Sequence, residues 1–125
     1  MGLDMFSKRV KIEGVVDDLS YDADQVIDED FFYWRKNRHL HNWMSSLYLD
    51  KGGKEEFNCI PVRLADEDLV RLAHDVILND LDGSDGFFFG KDDYNQDRKE
   101  EDLDFVKAAR KVIAEGDAVY YMAWY

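Results

Sequence analysis

FFYWRKNRHLHNWMSSLY, Phe31 to Tyr48, packs six aromatic residues, three cations and two histidines into eighteen positions without a single acid. The rest of the chain is strongly acidic, so this stretch stands apart in charge as well as in ring content. The spacing predicts one helix over its whole length. At about 100° per residue, Tyr33, Leu40, Trp43, Met44 and Leu47 fall on one side and should face a core. Lys36, Asn37 and His41 fall inside that arc or at its edge. Polar groups set where packing wants apolar ones need partners, either from the protein or from a ligand.

Working upstream, Asp28-Glu29-Asp30 would stand at the N-terminus of that helix, where carboxylates are favourable against its dipole and Asp28 or Asp30 would cap it. Residues 14–34 hold seven acids and neither Lys nor Arg, with irregularly spaced apolar residues. They read as a surface loop or arm lying on the domain, preceded by a short edge strand over Ser7–Gly14 that Lys8, Arg9 and Lys11 protect. Residues 1–30 are therefore expected as an acidic arm or edge strand packed on a single domain spanning 31–125.

Downstream, Lys51-Gly52-Gly53 ends the helix. Phe57–Val62 is expected as an extended segment, held to a sheet edge or strand end by Pro61. Asp66–Leu81 reads as a second helix with Leu69, Leu72, Ala73, Val76 and Ile77 inward and three acids in its first turn. Lys99–Glu115 reads as a third, burying Leu103, Phe105, Val106, Ala109, Val112 and Ile113 and closed by Gly116. The aromatic run from Ala118 to Tyr125 is β-prone. The expected fold is α+β: a compact three-helix domain with a small sheet of short strands.

With 125 residues the chain fits one domain, and 46% hydrophobic content supplies a core. A net charge of −12 opposes direct binding to nucleic acid or to an anionic membrane. Residues 1–14 contain no long apolar run, so neither a leader nor a membrane span is expected. The lone Cys59 admits no intrachain disulfide and points to a cell interior.

Arg35, Lys36 and Arg38 suit an anion, and with Trp34 or Trp43 they would suit a phosphate joined to a planar ring. The competing reading pairs those cations with the acidic arm upstream. His41 would hydrogen-bond a ligand or be satisfied in the core. Gly86–Gly90, GFFFG, would form a wall through Phe88 or simply be buried. His39 and His41 sit two apart and would point to opposite sides of a helix, so they make no metal pair. The Asp80-x-Asp82-x-Ser84 run lacks the glycine and the closing glutamate of a calcium loop. No catalytic residue, metal site or cofactor is assigned. The acidic stretches, residues 14–34 and 80–104, are either a solvated face or a mimic of nucleic-acid charge.

Three segments together, YWRKNRHLHNWM (Tyr33–Met44), GFFFG and VYYMAWY (Val119–Tyr125), resemble a family of small, mostly uncharacterised proteins of tailed bacteriophages. The family pattern runs YWRKANxIHxWF, then a GFFFG-containing block, then a YYxSSW-like end. Trp34, Arg35, Lys36, His41 and Trp43 match it position by position. Asn37 stands where the family has alanine, and Arg38 where it has asparagine. The resemblance implies a phage origin and the host cytoplasm, and it implies no activity. The expected function is a phage-encoded binding protein that sequesters a small anionic ligand, a nucleotide or nucleotide-derived immune signal, to counter host defence. Trp34, Arg35, Lys36, Arg38, His41, Trp43 and Phe88 would form its site. The alternatives are an acidic, DNA-mimic-like inhibitor of a host DNA-binding protein, or a small nucleotide-acting enzyme with His41 as acid or base. The aromatic C-terminus is also compatible with a homo-oligomer.

Overall fold

The computed structural model describes residues 3–78 and 96–124. Along the chain run β1 (Asp4–Lys11), β2 (Val15–Asp17), β3 (Ser20–Tyr21), β4 (Val26–Arg35), α1 (Arg38–Asp50), β5 (Val62–Leu64), α2 (Asp66–Ile77), α3 (Gln96–Ala114) and β6 (Asp117–Trp124). The main sheet is antiparallel throughout, in the order β4-β1-β6-β5, and β2 and β3 pair as a separate small sheet. This is the α+β architecture of three helices on a small sheet of short strands.

Alternate residues of a strand look to opposite faces. Met5 and Ser7 of β1, Trp34 of β4 and Val119, Tyr121 and Ala123 of β6 share one face and are buried. Against them pack Leu40, Met44 and Leu47 of α1, Leu69, Leu72 and Val76 of α2, and Phe105, Ala109 and Val112 of α3. Ser7 is polar yet fully buried, and its hydroxyl donates to the Tyr120 carbonyl at 3.1 Å.

The other face has its own, smaller cluster of Val10, Ala118 and Tyr120, covered by Val15, Tyr21 and Val26. The Tyr120 hydroxyl ties the β2–β3 hairpin down by sharing its hydrogen between the Asp17 and Ser20 carbonyls, at 2.7 and 3.0 Å. Burial pushes that phenol up to about 12.

Several expectations are corrected. Phe31–Arg35 is the end of β4, not the first turns of a helix. A run of four large aromatics is β-prone, and pairing with β1 decides the matter, with Met5 opposite Trp34 and Phe6 opposite Tyr33. Tyr33 accordingly points away from the helices and is 48% exposed. The helix begins at Arg38, and its cap is Asn37, whose Oδ1 accepts from the Leu40 N–H, rather than Asp28 or Asp30. Those acids lie in β4, at the sheet edge, where charge discourages pairing with another chain.

Residues 14–34 are not a loop, since they form the hairpin and most of β4, which runs through residue 30. The first strand is not at an edge. It lies between β4 and β6, and Lys8, Arg9 and Lys11 decorate an interior strand. Ile77, expected inward, is exposed. The edge position next to Pro61 is found in β5, and Gly116 closes α3 with a φ of +98°.

One polar staple joins three elements. Lys51 Nζ, just past α1, donates to the Arg63 carbonyl of β5 at 2.6 Å and to Asp68 Oδ2 of α2 at 2.7 Å. Asp68 Oδ2 also accepts from the Ala65 N–H at 2.8 Å, which caps α2. Lys51→Met should cost roughly 2 kcal/mol, below the range for a wholly buried pair because both side chains keep some exposure. Urea denaturation checks this, and a loss under 0.5 kcal/mol, on the order of a surface pair, would contradict it.

Candidate functional site

The basic corner is built where β4 leaves the sheet and α1 begins. The Lys36 N–H donates to the Leu3 carbonyl at 2.9 Å, and the Arg38 N–H closes a tight turn onto the Lys36 carbonyl at 3.0 Å. Lys36 sits at φ +58°, the left-handed region that glycine and asparagine tolerate best. Arg35, Lys36 and Arg38 are all exposed. Among the described residues none of the three forms an ion pair. Arg98 at the start of α3 joins them, its Nη2 donating to the Arg35 carbonyl at 2.9 Å.

Beneath this corner lies a buried polar node that sequence reasoning missed. Asp102 of α3 is fully buried. Its Oδ1 accepts from Trp34 Nε1 at 3.0 Å, and both its oxygens accept from Asn37 Nδ2, at 3.1 and 3.2 Å. One carboxyl group thus fixes the end of β4, the cap of α1 and the middle of α3. Trp34 is 1% exposed and meets Phe105 edge-on at 4.8 Å between centroids. Trp43 is also buried, with its Nε1 donating to Asp75 Oδ2 at 2.8 Å and Arg71 lying over its ring at 5.3 Å. Both indoles therefore serve the core, and neither presents a face to solvent.

His41 sits one turn into α1, on the core side. Its ring stacks on Phe57, with centroids 5.4 Å apart and planes within 8°, and its Nδ1 lies 2.8 Å from the Tyr121 hydroxyl. Burial drives its basicity down to about 4, so the ring is neutral at pH 7.

The structure therefore brings Arg35, Lys36 and Arg38 together, places Trp34 and Trp43 in the core and leaves His41 half-buried beside it. Phe88 and the GFFFG block lie outside the described residues. Among the described residues no cluster of His, Cys, Asp and Glu is arranged to hold a metal ion. An open concavity of about 410 Å³ lies at the far end of α1, between Tyr48, Gly53, Leu19 and Ile60, and none of the sequence-chosen residues lines it.

The acidic stretch has a clear disposition too. Glu13, Asp17, Asp18, Asp22, Asp24, Asp28, Glu29 and Asp30 are all exposed. Among the described residues none of them forms an ion pair, so the acidic segment does not neutralise the basic corner.

In class this is an α+β domain with three helices against one face of a four-stranded antiparallel sheet and a cationic corner at a strand-to-helix turn. Comparison with protein-family models, curated proteins and solved structures finds no match. Among the described residues no helix is long and apolar enough to cross a membrane.

Proposed function

We propose that the domain is a binding protein that takes a small anionic ligand at the corner formed by Arg35, Lys36 and Arg38. With the resemblance to phage proteins, the ligand is a nucleotide or nucleotide-derived signal of the host, and sequestering it in the host cytoplasm counters defence. The supporting observation is a cationic cluster that forms no ion pair among the described residues of a molecule of net charge −12. Carboxylates are abundant enough to have neutralised it, yet among the described residues the eight exposed acids of residues 13–30 form no ion pair with it. Lys36 adds to this, because a β-carbon at φ +58° carries a conformational cost that glycine would avoid.

Two measurements test the reading. Calorimetric titration with a panel of nucleotides, cyclic dinucleotides and ADP-ribose should give heat with at least one, and silence across the panel would end the proposal. For the responding ligand, replacing any one of the three cations by serine should weaken binding about tenfold, the worth of one charge-assisted contact. Lys36→Gly separates the two roles of its position. It should leave stability unchanged or raise it by up to about 1 kcal/mol while weakening the ligand by the same tenfold. Unaltered binding in Lys36→Gly would remove lysine from the site.

A second reading keeps one specific observation, the eight exposed carboxylates between Glu13 and Asp30, which form no ion pair among the described residues. They would suit an inhibitor that presents nucleic-acid-like charge to a host DNA-binding protein. Such a complex should dissociate as salt is raised, and a complex that survives high salt and neutralisation of these acids would count against it.

A further inference from the structure

Among the described residues, the sheet face turned away from the helices is only half covered. The β2–β3 hairpin lies over the end that carries Val10, Ala118 and Tyr120. At the opposite end the strand registers place six side chains in two rows on that same face. Arg35 of β4, Asp4 of β1 and Trp124 of β6 form one row; Tyr33, Phe6 and Met122 form the next. Trp124 is 61% exposed and Tyr33 48%, while Phe6 and Met122 are half-buried. The Phe6 and Tyr33 rings touch at 5.3 Å between centroids, and the Tyr33 hydroxyl donates to Asp4 Oδ1 at 2.8 Å, which holds that ring in place.

Two strand spacings make this platform about 10 Å wide, the scale of a fused heterocycle. Arg35 belongs to the platform itself, and Lys36 and Arg38 continue from it along the chain. Rings and cations are thus adjacent, as a molecule with a planar base and a phosphate requires.

We propose that this end of the outer sheet face is the base-stacking subsite of the anionic ligand, and so that the ligand is a mononucleotide or a small nucleotide derivative. The inference rests on the proposed function and names its ligand class. Stacking falls to Tyr33 and Trp124, in place of the buried Trp34 and Trp43, and Arg35 takes the phosphate at the platform's corner. A longer nucleic acid is disfavoured by charge: a strand continuing along the sheet meets the acidic hairpin, with Asp17, Asp18 and Asp22 exposed.

The test titrates the full chain with ADP, with GMP, with inorganic pyrophosphate and with a dT10 oligonucleotide, following tryptophan fluorescence and heat. At least one nucleotide should bind at least about tenfold more tightly than pyrophosphate, the contribution of one stacked base. Trp124→Ala and Tyr33→Ala change exposed residues and should fold. Each should pull nucleotide affinity down toward that of pyrophosphate while leaving pyrophosphate itself unchanged. Equal affinities for nucleotide and pyrophosphate, or nucleotide binding indifferent to both aromatic variants, would overturn the stacking subsite and leave the cationic site standing. An oligonucleotide that binds more tightly than either nucleotide would overturn the ligand class. No binding by any of the four probes would overturn this inference, and the proposed function would still be judged on the cyclic dinucleotides and ADP-ribose.

Discussion

Asp102→Ala is expected to cost roughly 4 kcal/mol of stability, a large share of what a domain of this size has to spare. The substitution leaves Trp34 Nε1 and Asn37 Nδ2 as buried donors without this acceptor, and each unsatisfied donor costs about 1–3 kcal/mol. An opposing term comes from no longer burying the carboxyl group itself. That term dominates when both halves of a buried polar pair are replaced by apolar groups, but here the donors stay. Asn37 has no free way out either, since turning its amide toward another acceptor withdraws Oδ1 from the Leu40 N–H and uncaps α1.

Asp102→Asn sharpens the prediction. Its one remaining oxygen can still accept from Trp34, while its own NH2 faces the NH2 of Asn37, so about half of the loss should return. Urea denaturation of the two variants beside the parent measures this, with an unchanged slope showing that the same folded state is being lost. A cost below 1 kcal/mol for the alanine variant would show that the node is dispensable. The corner carrying Arg35, Lys36 and Arg38 stands on this node, so the binding tests belong with variants that keep Asp102.

The same node shows how far the sequence could be read. The two C-terminal helices and β6 were legible because their apolar residues repeat at 3.6 or cluster in a β-prone run, and those periods reflect one buried face each. The central stretch misled because its aromatics satisfy both periods for a few residues. Phe31–Arg35 becomes a strand through pairing with β1, some thirty residues earlier, and local spacing carries no trace of that ladder. Asn37 was the available signal: a capping residue ahead of Arg38-His39-Leu40 marks a helix start better than acids eight residues earlier. The exposure of Lys36 was not legible, because a helical reading set it in or beside the core-facing arc, whereas it lies exposed just past the end of β4. Nor was the burial of Trp34 and Trp43, because their polar partners, Asp102 and Asp75, lie 68 and 32 residues away. The outer platform was hidden for the same reason, since Phe6, Tyr33 and Trp124 meet only through the register of three strands.

His41 should make stability depend on pH in a definite window. Its ordinary value of 6.5 applies to the unfolded chain, and burial lowers it to about 4 in the folded protein. Between those values the unfolded state binds the extra proton, so stability rises with pH there. The contribution is complete above pH 6.5 and is lost as pH falls toward 4, to a total of about 3 kcal/mol. Burial is the cause of the shift, because the Tyr121 hydroxyl 2.8 Å from Nδ1 can donate to a bare nitrogen or accept from a protonated one and so favours neither state strongly. The raw curve will not isolate this effect, because neutralising carboxylates in a molecule of net charge −12 relieves repulsion over the same range. His41→Gln shares every carboxylate with the parent and lacks the titration. Its stability deficit at pH 7 should therefore shrink by about 3 kcal/mol by pH 4, measured as the difference between two urea series at each pH. A difference that stays constant from pH 7 to 4 would place His41 among groups that fold without losing their proton affinity, and would overturn the assignment of a neutral, half-buried ring.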